Sequence, residues 1–211
     1  MIRIENLSKQ YKGTTVLEAF DQDFVPGKIY GIVGRNGSGK TVLMKMICGF
    51  VPATTGEVIV DGKRIGKEID FLPDAGVIIE TPQFQSLLSG YRNLADLAGI
   101  RKVIGKDQIM QAMEKVGLDP NSKKHVGKYS LGMRQRLGIA QAIMEDASIL
   151  VLDEPMNGLD QEGVDDIRKL LLEYKDQGKT IILSSHHQED IDQLCDETIR
   201  LEKGKRVVED K

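Results

Sequence analysis

The sequence has few cysteines and no tryptophan. Its only two cysteines, Cys48 and Cys195, exclude a disulfide-stabilised scaffold and are compatible with a reducing compartment. No apolar run reaches the roughly 18 residues that span a bilayer, and the first residues lack the apolar core of a signal peptide. We therefore expect a cytoplasmic protein with no membrane span of its own.

The sequence also lacks an excess of charge of either sign. Lysine and arginine total 29 against 32 aspartates and glutamates, which gives a net charge of −3. A general nucleic-acid binder usually carries a marked basic excess, so we expect no nucleic-acid partner. The 211 residues contain no repeat or low-complexity tract, and they are enough for one domain, or one domain with an insertion.

Strand-like runs alternate with helix-like apolar stripes, which is typical of an α/β domain. The runs 29–33, 149–152 and 180–183 are almost continuously apolar, as expected of parallel strands covered on both faces. Each run leads directly into polar residues: GRNGSGKT, DEP and SSHH. Because ligands bind at the carboxyl ends of parallel strands, the three strand ends predict one site.

Two regions depart from this alternation. The first sixty residues have short strand patterns separated by turn residues, which predicts an antiparallel β layer. Residues 83–144 have recurring helical patterns, so we predict a helical insertion in a single domain of residues 1–211 with its core in 1–82 and 145–211. Segments 198–201 and 206–208 flank Gly204 as a predicted hairpin, and Ser185 with Gln188 predicts a capping box for a helix over Ile191 and Leu194.

A phosphate-binding loop follows the first buried run. The loop fits the pattern GxxxxGK[ST] between a predicted strand and a predicted helix, and its residues are Gly34, Arg35, Asn36, Gly37, Ser38, Gly39, Lys40 and Thr41. Glycines let backbone N–H groups surround phosphate oxygens, Lys40 would neutralise the β- and γ-phosphates, and Thr41 would bind Mg²⁺. A chance match occurs in on the order of one percent of chains this long. The loop alone does not separate ATPases, GTPases and kinases.

The other two strand ends carry candidates for catalysis. Asp153 ends a buried run, as suits a partner of Mg²⁺, and Glu154 is a candidate general base for a water. Taken alone, two acids ending a strand are common, but beside a phosphate loop the catalytic interpretation is favoured. His186 could hydrogen-bond a γ-phosphate, whereas we interpret His125 and His187 as ordinary surface histidines.

Together these motifs resemble the ATP-binding cassettes of ABC transporters over essentially the whole chain. Residues 129–136 (YSLGMRQR) resemble the LSGGQ signature of that family, in which Ser130 and the backbone near Gly132 would face a γ-phosphate. An alternative is that Ser130 simply caps the following helix. The resemblance makes Asp153 the Walker B aspartate, Glu154 the catalytic carboxylate and His186 the switch histidine. It assigns nucleotide contacts to Lys40, which also assists catalysis, and to Tyr11, Thr15 and Asp160, although Tyr11 could equally be a half-buried strand residue.

Two departures from the family pattern stand out. Glu80 occupies the position where the family usually has a glutamine that senses Mg²⁺ and water, and a carboxylate adds charge and cannot donate as an amide does. Leu131 and Met133 replace the small and amide residues of LSGGQ. In both departures the sequence resembles the branch of the family that includes bacitracin- and lantibiotic-type exporters.

The resemblance implies a function and a fold. The fold is a P-loop NTPase of the RecA-like type: α/β with a mostly parallel sheet, an antiparallel layer and a helical subdomain. The function is Mg²⁺-dependent ATP hydrolysis at sites shared across a dimer of cassettes, driving export through a separate membrane subunit at the cytoplasmic face of the membrane. Alternatives are a soluble cassette ATPase without a membrane partner and a nucleotide-gated subunit with little catalysis. Apolar residues of the insertion could form the groove for the membrane subunit or pack the insertion's own core: Phe84, Leu87, Leu88 and Tyr91.

Overall fold

The computed structural model describes residues 1–207 and contains two β-sheets with helices packed around them. The strands are β1 Ile2–Tyr11, β2 Thr14–Phe24, β3 Ile29–Val33, β4 Thr55–Val60, β5 Lys63–Arg64, β6 Ala75–Ile78, β7 Ile149–Asp153, β8 Thr180–Ser184, β9 Glu197–Glu202 and β10 Lys205–Val207. The α-helices are α1 Lys40–Ile47, α2 Gly90–Arg101, α3 Lys106–Lys115, α4 Leu131–Ile143, α5 Gln161–Asp176 and α6 Gln188–Leu194.

The first sheet is the predicted antiparallel layer, with strand order β2-β1-β4-β5. Its central strand β1 buries Ile2, Ile4 and Leu7, and residues between them are exposed. This alternation is typical of a sheet with one face on a core and the other toward solvent. Apolar residues of β1 and β2 meet the first helix, α1, in a shared core cluster.

The second sheet has the order β10-β9-β3-β8-β7-β6, and its strands are parallel except at the β10 edge. Strands β3, β7 and β8 are buried along their whole length, because α4, α5 and α6 cover one face of the sheet and α1 with the first sheet covers the other. Strand β3 lies between β8 and β9, so both of its neighbours come from the last third of the chain. The predicted fold class, α/β with a mostly parallel sheet and an antiparallel layer, is confirmed.

The stretch predicted as an insertion carries helices α2, α3 and α4 and no long strand. Leu94, Met113 and Leu137, one from each helix, are buried in the same cluster as apolar residues of β7 and α5. The insertion therefore packs on the parallel sheet through α4. The boundaries 83–144 stay a prediction.

The predicted capping box at the start of α6 is wrong. The residue that caps α6 is His187, which makes no side-chain hydrogen bond there. The Ser185 hydroxyl instead donates to Asp190 Oδ2 at 2.6 Å, because Asp190 in the first turn is close enough to accept from it. The predicted hairpin near Gly204 forms between β9 and β10, and Val208 lies outside the described residues.

Both cysteines are free, as the scarcity of cysteine predicts. Cys48 is buried, and burial raises the pKa of its thiol to about 12. Cys195 is only partly buried, less than its apolar stripe predicts, yet burial raises the pKa of this thiol to about 12 as well. None of the helices in residues 1–207 combines the length and the apolar character that a membrane span requires.

Close packing of α4 on β6 predicts a sharp difference between two glycine substitutions. A Cβ at Gly76, on β6, would lie 1.8 Å from the Ala142 carbonyl oxygen, whereas a Cβ at Gly99, exposed on α2, meets nothing within 4 Å. We expect Gly76→Ala to lower the free energy of unfolding by about 1–3 kcal/mol through overpacking. Gly99→Ala should raise it by about 0.5–1 kcal/mol, because alanine is the better helix former. Urea denaturation measures both, and equal stability of the two variants would contradict this packing.

Candidate nucleotide-binding site

The loop between β3 and α1 turns sharply so that its backbone faces one cavity. Gly39 caps α1 in a left-handed conformation (φ 107°), and as a glycine it has no side chain to bond the free N–H groups of the helix. The first turn of α1 contains no acidic residue, so its N–H groups and the positive end of the helix dipole favour an anion. The position therefore suits a phosphate group.

Two side chains of the loop are arranged for the same ligand. The Lys40 ammonium is nearly buried and donates to the Gly34 carbonyl oxygen at 2.7 Å. The Ser38 hydroxyl is buried and has no hydrogen-bond partner in the protein. A buried hydroxyl in this condition is costly unless a ligand or water completes its hydrogen bonds, and a phosphate oxygen would do so.

Asp153, the last residue of β7, joins three elements of the site. One carboxylate oxygen, Oδ2, accepts from the Thr41 hydroxyl at 2.8 Å, and the other, Oδ1, accepts from the Ser184 hydroxyl at 2.6 Å. The parallel register brings Ser184 of β8 directly beside Asp153. Thr41 and Asp153 thus present hard oxygen ligands side by side, the donor set that Mg²⁺ prefers, and phosphates and water would supply its other ligands.

Glu154 follows Asp153 in a left-handed conformation (φ 52°). Its side chain contacts His186 in the segment after β8, residues 185–187, which we call the switch segment. The His186 amide donates to Glu154 Oε2 at 3.2 Å, and His186 Nε2 lies 3.0 Å from Oε1. The ring contact is close but not aligned as a hydrogen bond, so Oε1 remains buried without a hydrogen-bond partner. Burial raises the pKa of Glu154, while His186 and Lys40 lower it and Asp153 raises it. A carboxylate in this setting is a stronger base than one in water.

These residues line one cavity of about 220 Å³ at the carboxyl ends of β3, β7 and β8. The structure thereby brings together most of the predicted phosphate loop and catalytic residues: Asn36, Gly37, Ser38, Gly39, Lys40, Thr41, Asp153, Glu154 and His186. Gly34 and Arg35 line the adjoining cavity of about 320 Å³, which also reaches His186. Val16 lines the nucleotide cavity too, and no motif in the sequence marks it.

Three predicted contacts lie outside this cavity. Tyr11 stands at the end of β1 with 45% of its surface exposed, and the Lys9 ammonium lies 4.8 Å from its ring centre. Thr15 is exposed on β2 beside Val16. The Glu80 carboxylate pairs with the Lys45 ammonium of α1 at 2.7 Å, which balances the additional charge of this residue. Their roles toward a nucleotide or Mg²⁺ stay predictions.

The signature segment and Asp160 lie together elsewhere on the chain. The Ser130 hydroxyl is exposed and caps α4 by accepting from the Met133 amide at 3.2 Å, and Asp160 caps α5 by accepting from the Gly163 amide at 3.1 Å. A Cβ added at Gly132 would lie 2.8 Å from the Gly158 carbonyl oxygen. The signature segment of a chain therefore packs on the turn that follows its own Glu154.

Two residues without an assigned role in the sequence analysis hold the turn that follows β7. We call this turn, which begins at Glu154 and Pro155, the catalytic turn. The Ser184 hydroxyl donates to Asp153 and accepts from the Glu154 amide at 3.0 Å. The nearly buried Gln135 amide of α4 donates to the Glu154 and Pro155 carbonyl oxygens at 3.1 and 3.0 Å. The sequence carried a signal for Ser184, because this residue follows a predicted parallel strand just as Asp153 does. Gln135 carries no comparable signal.

Fold and site define a P-loop nucleotide-binding protein with a buried carboxylate, that of Glu154, beside the phosphate loop. The ABC transporter family model matches residues 17–157, two thirds of the sequence. The chain belongs to the ABC transporter family, as an ATP-binding subunit and an ABC ATPase.

Characterised relatives support the predicted branch. The chain is 46% identical over 198 residues to the bacitracin transport ATP-binding protein BcrA of Enterococcus faecalis, covering 93% of this chain and 64% of BcrA. It is 36% identical over 209 residues to the lantibiotic transport ATP-binding protein SrtF of Streptococcus pyogenes, covering 99% of this chain and 90% of SrtF. The resemblance to bacitracin- and lantibiotic-type proteins is confirmed.

A solved structure confirms the fold. The chain matches the dimeric post-hydrolysis ATP-binding cassette MJ0796 bound to ADP and Pi with a TM-score of 0.88 over 100% of this chain and 98% of that one. Sequence identity is 23%, so this likeness concerns the architecture.

The Thr41–Asp153 contact predicts how Mg²⁺ affects nucleotide affinity. Thr41→Val removes the hydroxyl and keeps the shape of the side chain, so we expect Mg²⁺-dependent ATP binding to weaken roughly ten- to a hundredfold. ATP binding in EDTA should change little, because the phosphate loop is intact. Thr180→Val is the matched control, since Thr180 begins β8 at the end opposite the site. Fluorescence titration with an ATP analogue measures both; equal losses with and without Mg²⁺ would contradict the assignment.

Proposed function

We propose that this chain hydrolyses ATP with Mg²⁺ at a site completed by a second cassette, and that the hydrolysis drives export of a peptide-like or drug-like compound through a separate membrane subunit. Bound Mg²⁺ would neutralise charge on the β- and γ-phosphates. Thr41 and Asp153 would hold it, and Lys40 with the N-terminus of α1 would orient the phosphates. Glu154 would accept a proton from the attacking water.

The observation that carries this proposal is the unpartnered Glu154 Oε1. This oxygen is buried, and Glu154 lines the same cavity as Lys40 and Thr41. A buried acceptor without a donor gains from a water molecule, and a water bound there would stand beside the position of a γ-phosphate. His186 supports the carboxylate through its backbone amide and places its ring next to the same oxygen.

Exposure of the signature segment supports a shared site. Ser130 is exposed at the head of α4, where the helix dipole favours an anion. The phosphate cavity, for its part, is open to solvent. A second cassette whose Ser130 and Gly132 covered this opening would add hydrogen-bond donors at the γ-phosphate and exclude water. Either an identical chain or a related cassette would serve.

A separate membrane subunit is part of this proposal, and the names of the relatives BcrA and SrtF, both transport ATP-binding proteins, support it. Leu87, in the entry to the insertion, is 77% exposed, while Phe84 and Tyr91 pack on the insertion's core. Leu87 is therefore the best candidate for the contact with that subunit. In this proposal the protein lies at the cytoplasmic face of the membrane, and the names of BcrA and SrtF support transport of a compound similar to bacitracin or a lantibiotic.

Glu154→Gln separates binding from hydrolysis. The amide keeps the size of the side chain and cannot accept the proton, so we expect the turnover rate to fall about a hundredfold or more. ATP affinity should be retained, and ATP should trap a dimer detectable by light scattering after size exclusion. Glu173→Gln, an exposed change on α5, is the control and should remain fully active. Turnover at the normal rate by Glu154→Gln, or a strictly monomeric ATP complex, would refute the shared site.

Leu87→Glu tests the contact with the membrane subunit. A charge at this exposed position should reduce co-purification with the membrane subunit and transport in vesicles several-fold, since burying it at an interface is costly. Basal ATP hydrolysis should be unchanged. Ile100→Glu is a matched control at the far end of α2, because Ile100 is 76% exposed. If both variants transport normally, Leu87 is not at the interface; if no membrane partner supports transport at all, the uncoupled ATPase is favoured.

A further inference from the structure

A buried ion pair joins α5 to α6 directly behind the switch segment. Arg168 of α5 and Asp190 of α6 are 6% and 1% exposed. Arg168 Nε and Nη2 both donate to Asp190 Oδ1, at 3.0 and 2.6 Å. Arg168 Nη1 also approaches Glu189 at 3.3 Å and Asp165 at 3.4 Å, so the guanidinium is surrounded by carboxylates. Burying such a pair is costly, and a pair that is so fully hydrogen-bonded defines a fixed geometry.

The other oxygen of Asp190 extends this pair into the switch segment. Asp190 Oδ2 accepts from the buried Ser185 hydroxyl at 2.6 Å. The same hydroxyl oxygen accepts from the His187 amide at 3.1 Å. Ser185 and His187 are the residues on either side of His186. The Ser185 hydroxyl, itself bonded to the buried Asp190 carboxylate, therefore also holds the backbone on the other side of His186.

Ser184, the residue before the switch segment, connects that segment to the end of β7. Ser184 binds Asp153 and the Glu154 amide through its hydroxyl, and the His186 amide donates to the Glu154 carboxylate. Hydrogen bonds thus connect Arg168, Asp190 and Ser185, and the next residue in the chain, His186, donates through its amide to Glu154. Asp190 and Arg168 line neither cavity of the nucleotide site, so they act on it only through Ser185 and His186.

We propose that Asp190, held by Arg168, is a positioning residue for the reaction: through the Ser185 hydroxyl it fixes His186 against Glu154. This inference rests on the proposed hydrolysis by Glu154. A fixed His186 keeps the Glu154 carboxylate pointing at the cavity, which is the geometry that activation of a water requires. Misplacement of a supporting group by about 1 Å costs up to about a hundredfold in rate, so the loss of this connection should reduce kcat.

The test is a double-mutant cycle on single-turnover ATP hydrolysis, which keeps slow variants measurable. Ser185→Ala should lower the rate about tenfold with little change in KM for ATP. In the His186→Ala background the same substitution should cause no further loss, because Ser185 acts through His186. Ser8→Ala is the matched control, since the Ser8 hydroxyl also accepts from a backbone amide, that of Ala19, but in the antiparallel layer.

A second measurement needs no nucleotide. Hydrogen–deuterium exchange of residues 184–187 should become faster in Ser185→Ala than in the wild type, while exchange in β1 stays the same. Arg168→Lys is the second variant, which keeps the charge but loses the two hydrogen bonds of the guanidinium to Asp190. We expect a smaller loss of rate than in Ser185→Ala, and faster exchange of residues 184–187 than in the wild type. If Ser185→Ala is poorly folded, Arg168→Lys carries the cycle with His186→Ala.

The outcomes separate this inference from the proposed function. Equal fold-losses from Ser185→Ala with and without His186, or unchanged exchange in residues 184–187, would overturn the positioning role. Full activity of Glu154→Gln would instead refute the proposed function. The exchange measurement would still report whether Asp190 holds the switch segment.

Discussion

The site depends on the carboxylate of Asp153, which is nearly buried and uses each oxygen for a different neighbour. Thr41 reaches it from the helix after β3, and Ser184 reaches it from the adjacent strand β8. The phosphate loop, the catalytic turn and the switch segment are therefore held in register by one side chain. Because the interior is close-packed and has a low dielectric, these hydrogen bonds are strong and their geometry is well defined. The proposed binding of phosphate at the loop and the proposed proton transfer at Glu154 would both require this register.

Much of the architecture was accessible from the sequence, because it follows from periodicity. Apolar runs such as that of β3 could only be buried strands, and three such runs with polar ends had to meet at one edge of the sheet. The antiparallel layer, the helices of the insertion and the hairpin at Gly204 also left clear patterns. The phosphate loop, Asp153, Glu154 and His186 carried motifs, and they gather in one cavity.

The remaining details depend on contacts between residues far apart in the chain, which leave no local pattern. Ser185 with Gln188 satisfied the spacing of a capping box, yet the buried Asp190 competes for its hydroxyl and prevails because Arg168 holds that carboxylate in place. Gln135 is one of many glutamines until folding places it against the catalytic turn. The pairing of Glu80 with Lys45 likewise depends on where α1 passes β6. Tertiary packing decides such cases.

The central position of β3 has a consequence for how the protein is made. Both strands that flank it, β8 and β9, are synthesised after it, once α1 to α5 have been made. Until then its N–H and C=O groups have no partners in the sheet, and the glycine-rich segment after it has no scaffold. A polypeptide that stops before β8 thus contains the entire phosphate-loop sequence but lacks the neighbouring strands that hold β3 in the sheet.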